Sequence, residues 1–206
     1  PEGMCYNSYL ILDEKVAVMD SVDPRKTNEW LQNLSNALEG RTPDYLIVQH
    51  MEPDHSGSLA AFRKAYPTAT IVASEKALAI MKQFDEKTDF GSTIAVKEGD
   101  TLSLGKRTLQ FIGAAMIHWP EVIVTYCPEE KTLFSADAFG KFGVIDADAD
   151  DWACEARRYY FNICGKYGAP VSTLLKKASA LDIQTICPLH GPILEDEKLA
   201  EALRLY

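Results

Sequence analysis

Apolar positions follow two rhythms along this chain, and the switches between them mark its elements. Continuous apolar runs of strand type come first: Tyr9-Leu10-Ile11-Leu12 and Val16-Ala17-Val18-Met19 flank Asp13-Glu14 and predict a hairpin over 7–12 and 15–22. Trp30, Leu31, Leu34, Ala37 and Leu38 then recur at helical spacing, with Thr27 placed to cap the start and Gly40 past the end. A strand over 44–49 follows, built on Tyr45-Leu46-Ile47-Val48. A helix over 58–66, stopped by Pro67, a strand over 70–73 and a helix capped by Ser74 complete this part.

The middle of the chain changes character. Short strands are predicted at 93–96, 101–104 and 108–111, with tight turns at Gly99-Asp100 and Gly105-Lys106. Strands at 122–126 and 132–135 form another hairpin. A glycine- and aspartate-rich loop covers 140–151, and Asp151 starts a helix through Trp152, Glu155, Tyr159 and Ile163. A helix over about 170–181, a strand over 183–187 and a closing helix from Glu195 end the pattern. Hairpins mixed with strand-helix units predict an α/β sandwich rather than a doubly wound sheet.

Composition narrows the classes. The 206 residues suffice for one large domain with a proper core, and 47% are hydrophobic. A net charge of −9 argues against nucleic acid or an anionic membrane surface as partner. The absence of a bilayer-length apolar run and of a signal-peptide layout leads to an expected cytoplasmic location. The five cysteines are odd in number and form no Cys-x-x-Cys. They are expected to be free buried thiols in a reducing compartment, which leaves no zinc-thiolate site.

The chemistry concentrates in Gln49-His50-Met51-Glu52-Pro53-Asp54-His55-Ser56-Gly57, directly after the 44–49 strand. Four of these side chains, at 50, 52, 54 and 55, are metal-ligand types. Pro53 biases Glu52 towards extended backbone, where residues two apart point the same way. His50, Glu52 and Asp54 are therefore expected to converge, with His55 turned aside. One ion cannot use four ligands from so short a loop, so two ions are expected. The chain holds only four histidines, and the other two, His118 and His190, also lie at strand ends, as does Asp137. Seven such residues together point to one shared metal site.

The pattern resembles the metallo-β-lactamase superfamily, whose hydrolases carry His-x-His-x-Asp-His in the corresponding loop. Here Glu52 stands for the second histidine, and His-x-Glu-x-Asp-His marks the flavodiiron proteins, diiron reductases of oxygen and nitric oxide. Tyr6-Asn7-Ser8-Tyr9-Leu10-Ile11, His118-Trp119-Pro120, the stretch from Phe134 to Gly140 and His190-Gly191-Pro192-Ile193 agree with that family. The resemblance implies a four-layer αββα sandwich. It implies that His50, Glu52 and His118 hold one iron, that Asp54, His55 and His190 hold the other, and that Asp137 bridges them. Replacing an imidazole by a carboxylate hardens the site and favours iron over zinc, although zinc or manganese can load it. Tyr167 falls where relatives carry a phenol near the diiron pocket, so it is a candidate hydrogen-bond or proton donor. Trp119 is expected to pack rather than to carry electrons.

Flavodiiron proteins continue into a flavodoxin-like domain that binds FMN. This chain ends at Leu205-Tyr206 and carries no phosphate-cradling loop. Residues 1–206 therefore read as the diiron domain, with the flavodoxin domain absent and the first strands of the sandwich missing. The implied activity is reduction of oxygen to water or of nitric oxide to nitrous oxide. Electrons would come through FMN from a rubredoxin-like donor, in a head-to-tail homodimer. The rivals are a dizinc hydrolase of the same superfamily, against which Glu52 argues, and a non-catalytic metal-binding domain.

Overall fold

The computed structural model describes residues 3–145 and 152–206. The expected helix start at Asp151 lies outside the described residues. Two sheets stack face to face. The first runs β1 (Tyr9–Leu12), β2 (Val16–Met19), β3 (Tyr45–Val48), β4 (Thr70–Ser74) and β5 (Thr93–Val96) in sequence order. Only its β1–β2 pair is antiparallel. The second has the order β11 (Leu194–Glu195), β10 (Thr185–Cys187), β9 (Thr132–Phe134), β8 (Ile123–Cys127), β7 (Thr108–Gly113) and β6 (Thr101–Ser103). Its one parallel pair is β9–β10.

Alternation along the strands separates three apolar layers. Ala17, Met19, Ile47 and Val72 face Leu109, Phe111, Ile123 and Phe134 between the sheets. On the outer face of the first sheet, Val16, Val18, Leu46 and Ile71 meet Trp30 and Leu34 of α1 (Thr27–Ala37), Phe62 of α3 (Leu59–Ala65) and Met81 of α4 (Glu75–Phe84). On the outer face of the second, Val124, Tyr126 and Ile186 meet α5 (Trp152–Ile163), α6 (Gly168–Ala178) and α7 (Asp196–Leu205). Each fully buried large side chain contributes roughly 1.5–3 kcal/mol. The helix–sheet–sheet–helix order is the αββα sandwich that the sequence implied.

Details differ from the sequence pattern at element ends. Thr27 is the first residue of α1 and not its cap, because Pro24 opens a 3-10 turn whose cap is Asp23. Gly40 does sit in the left-handed region just past α1, at φ 84°. Ser74 caps α4 by accepting from the Ala77 amide. All five cysteines are free, but Cys154 is exposed and Cys5 only half-buried, against the expectation of buried thiols.

The two sheets are tied where the ligand loops emerge. The Ile123 amide at the start of β8 donates to the Gln49 carbonyl at the end of β3, at 3.1 Å. Within the second sheet, the Leu189 amide donates to the Ala136 carbonyl at 2.9 Å and the Ser135 amide to the Cys187 carbonyl at 3.2 Å, fixing the ends of β9 and β10. Asn7 reaches the same corner, its side-chain amide donating to the carbonyls of Pro188 and Gly191.

Candidate metal centre

The loop after β3 is not extended throughout. Glu52 is extended, at φ −58° and ψ 139°, as Pro53 requires. Pro53 then becomes the first residue of a short helix, α2 (Pro53–Ser56). This corrects the expected alternation: the helical turn rotates Asp54 away from Glu52 and brings His55 inward. His50 and Glu52 face one side of the cluster, and Asp54 and His55 face the other. Gly57 ends the turn, and a Cβ there would lie 2.5 Å from both Pro24 Cδ and the Pro53 carbonyl oxygen. The His55 carbonyl is held by the amide and hydroxyl of Ser21, at 3.0 and 2.7 Å.

All seven side chains singled out in the sequence meet in one cluster. It divides into His50, Glu52, His118 and Asp137 on one side and Asp54, His55 and His190 on the other. In each group the possible ligand atoms lie within 4.8 Å of one another. Asp137 faces both groups. Its Oδ2 is 3.4 Å from His50 Nε2 and 3.1 Å from His118 Nε2, and its Oδ1 is 3.1 Å from His55 Nε2 and 3.5 Å from His190 Nε2. Glu52 Oε2 lies 2.8 Å from His118 Nε2 and 3.3 Å from His50 Nε2. Asp54 Oδ2 is 3.4 Å from the Nε2 atoms of both His55 and His190.

The charges are strongly coupled. Contacts with His118 and then His50 hold the Glu52 carboxyl down at about 2, against burial. Burial pushes the Asp137 carboxyl up, but His55, His118 and His50 outweigh it and hold the group well below the usual range. Burial acts to depress the His118 imidazole, yet Asp137 and Glu52 lift it to about 9. The site is therefore rich in negative charge that calls for cations.

The donor set fits metal ions. His50 Nδ1 lies 2.8 Å from Glu121 Oε1, and His190 Nδ1 lies 2.8 Å from the Cys5 carbonyl oxygen. Both partners only accept, so both Nδ1 atoms carry a proton and Nε2 is the ring nitrogen left facing the cluster, where a metal would take the place of a second proton. His55 Nε2 and His190 Nε2 stand 3.0 Å apart, and two imidazole lone pairs that close require a proton or a cation between them. Asp54 Oδ1 and Asp137 Oδ1 are buried and have no hydrogen-bond donor among the described residues. The chemistry is imidazole and carboxylate without thiolate, a set that suits iron, manganese or zinc.

Several contributors were not visible in the sequence reading. Glu121 is buried behind His50 and also accepts the Met51 amide at 2.9 Å. Its one sequence signal is an acid placed directly before the apolar run of β8. Asp20 accepts the amide and the side-chain NH of Gln49, at 2.7 and 2.9 Å. The rings against His190 are Tyr6, at 5.7 Å, and Tyr159, at 5.6 Å. Tyr159 lies on the buried face of α5 with Trp152 and Ala156. Its hydroxyl is buried without a partner among the described residues. Tyr167 lies instead in the 3-10 turn Gly165–Tyr167, half-buried, with Lys166 Nζ 5.0 Å from its ring centroid. Among the described residues no hydrogen bond or ring contact joins Tyr167 to the cluster. Trp119 packs edge-on to His50, at 5.4 Å, and to Phe84, at 6.4 Å.

A family profile described as "ODP family beta lactamase" matches residues 4–191. The chain belongs to this ODP β-lactamase family. Similar proteins include a nitric oxide reductase of Moorella thermoacetica, 37% identical over 199 residues, covering 93% of this chain and 50% of that protein. A rubredoxin-oxygen oxidoreductase of Megalodesulfovibrio gigas is 34% identical over 203 residues, covering 94% of this chain and 50% of the relative. Among solved structures, the flavodiiron protein from Giardia intestinalis superposes with a TM-score of 0.93 at 32% identity, covering 98% of this chain and 51% of that one. The αββα sandwich of this ODP-family chain is thus the core seen in flavodiiron proteins. The chain spans about half the length of the curated relatives it matches.

Proposed function

We propose that residues 1–206 form the diiron domain of an oxygen or nitric oxide reductase. The observation that carries this reading is the convergence of four imidazoles and three carboxylates, with the Nε2 atoms of His50 and His190 turned inward by hydrogen bonds at Nδ1. His50, Glu52 and His118 would hold one iron, Asp54, His55 and His190 the other, and Asp137 would serve both. Two bound ferrous ions would supply two electrons, enough to convert two nitric oxide molecules to nitrous oxide and water and half of the four that oxygen needs to reach water, the other two coming from the donor.

The chain's own residues set access and protons. The Glu52 and Asp54 side chains are 34% and 23% exposed, whereas those of His50 and His55 are fully buried. The gas therefore approaches from the Glu52–Asp54 rim, and water is kept from the back of the cluster by packed rings. Burial holds the Tyr159 phenol far above its ordinary pKa, so it keeps its proton and acts as a neutral hydrogen-bond donor beside His190. That geometry makes Tyr159 a stronger candidate than Tyr167 for the phenol role.

The named activities of the Moorella and Megalodesulfovibrio relatives support this reading, and Glu52 favours it over a dizinc hydrolase. FMN would be supplied by a flavodoxin-like domain and electrons by a rubredoxin-like donor, with a head-to-tail homodimer bringing flavin to the cluster. Among the described residues no helix is long and apolar enough to cross a membrane. The compartment that suits five free thiols is the cytoplasm.

The test starts from the 206-residue chain loaded with ferrous iron under anaerobic conditions. It should hold two irons, react once with oxygen or nitric oxide in stopped flow, and then stop. Adding the flavodoxin-like domain and a rubredoxin-like donor should restore steady gas consumption. Inertness of verified diferrous protein would sink the reductase reading, and rapid turnover without added flavin would overturn the electron path.

A further inference from the structure

Glu121 belongs to neither ligand group, yet it is 2% exposed and fixed from both sides. Its Oε1 accepts His50 Nδ1–H and the Met51 amide, at 2.8 and 2.9 Å. Its carbonyl accepts the Ser74 hydroxyl at 2.7 Å. Two residues on, the Ile123 amide closes the seam to Gln49. Among the described residues no carboxylate is hydrogen-bonded behind an imidazole of the second group. His190 Nδ1 donates to a neutral carbonyl, that of Cys5, and His55 Nδ1 is buried without a partner among the described residues. A carboxylate behind an imidazole ligand makes it a stronger donor and adds negative charge close to the metal. The first position thus has Glu52, Glu121 and a share of Asp137 around it, and the second has Asp54 and a share of Asp137.

Resting on the two-metal reading above, we propose that Glu121 is a positioning residue that makes the two metal positions unequal. Through His50 it tightens the metal held with Glu52 and His118 and favours the higher oxidation state there. The ion at the His50 position is then the more firmly bound and the first to be oxidised.

Glu121→Gln separates this from a purely structural role. The Gln carbonyl can still accept from His50 and Met51, and only the charge is lost. Two measurements are made on wild type and variant: chelator competition with zinc alone, which yields two affinities, and anaerobic potentiometric titration of the iron-loaded chain followed by electron paramagnetic resonance. In E121Q one zinc affinity should fall about 10–100-fold, the range seen when such supporting residues are changed. The other should stay within about twofold of wild type. The first oxidation step should move to higher potential, by about 59 mV for each tenfold loss of ferric preference. The second step should hold its place.

Unchanged affinities and potentials in E121Q would overturn the proposal, as would equal changes at both positions. Thermal unfolding of the metal-free proteins separates any general loss of stability. Glu121→Asp keeps the charge on a shorter arm and serves if E121Q does not fold. Its first step should stay near the wild-type potential, and a shift as large as a tenfold loss of ferric preference would rule out the role of charge. Fewer than two zinc ions in the wild type would show the two-metal reading itself to be wrong before any variant is compared.

Discussion

The two halves of the sandwich supply the cluster in different ways. The first sheet delivers four of the seven side chains from one stretch, 50–55, at the end of β3. The second delivers three from three separate loops: His118 between β7 and β8, Asp137 after β9 and His190 after β10. Yet each group draws two residues from the short stretch and one imidazole from the second sheet, with Asp137 reaching across. A continuous motif therefore does not make one site. It is split by the turn at Pro53, and the opposite sheet completes each half. The hydrogen bonds that cross between the sheets, Ile123 amide to Gln49 carbonyl and Asn7 amide to Leu189 carbonyl, set the spacing between the two contributions.

The largest effect should follow from cutting the residue that both halves share. Asp137→Ala should reduce bound metal from two ions towards none, whereas His118→Ala and His190→Ala should each leave one. Elemental analysis after identical anaerobic loading checks this. The loss in the Asp137 variant should exceed the roughly 10–100-fold typical of a supporting residue. Two retained ions in the Asp137 variant would mean that the halves bind independently.

A smaller effect is expected from changing the character of one position without removing it. Glu52→His restores the hydrolase-type motif in the first group and leaves Asp54 and His55 alone. The iron-to-zinc ratio after loading from an equal mixture should fall, because a softer, less negative ligand set favours zinc. An unchanged ratio would remove the argument that Glu52 selects the metal.

The smallest effect on the cluster should come from Asp20, which anchors Gln49 behind the motif. Burial pushes its carboxyl up to about 6, with the Gln49 hydrogen bonds acting the other way. In the unfolded chain an aspartate titrates near roughly 3.9. Between these values the folded chain holds more protons than the unfolded one, so Asp20 lowers stability as pH rises, with no further change above about 6. The slope is at most about 1.4 kcal/mol per pH unit. Asp20→Asn should abolish that slope in the variant, so the difference between variant and wild-type stability of the metal-free chain should rise with pH between about 4 and 6. Metal content should not change, since Asn can still accept the Gln49 amide and Gln49 Oε1 is free to accept in return. A difference curve that is flat from pH 4 to 7 would show that Asp20 is already ionised in the folded chain at pH 4.

Element order was legible because β2, β3 and β4 are buried on both faces and read as unbroken apolar runs, while α1 and α4 carry one apolar face each. The cluster was legible because the chain has only four histidines, all of them placed with carboxylates close after strands. Thr27 misled because a side chain that fits a cap was already inside the helix, the start having been set by Pro24 and Asp23. Tyr159 was not singled out because the sequence of α5 does not by itself report which of its faces points inward, whereas Tyr167, in the turn that follows, has no contact with the cluster among the described residues.

By itself the sequence determined the alternation of strands and helices, the layered class that follows from it, and the residues able to bind metal. Those properties depend on side-chain type and on spacing within a few residues. The division of the ligands and the place of Asp137 between them were implied by the family resemblance; only the tertiary structure decided that the turn at Pro53 separates the two groups and that Glu121, Asp20 and Tyr159 support them. Such contacts join residues far apart in the chain, 29 positions for Asp20 with Gln49, 71 for His50 with Glu121 and 135 for His55 with His190, and no local rhythm encodes them. They arise from the pairing of neighbouring strands and the stacking of two sheets, where a buried charge is met by a partner brought in from elsewhere in the chain.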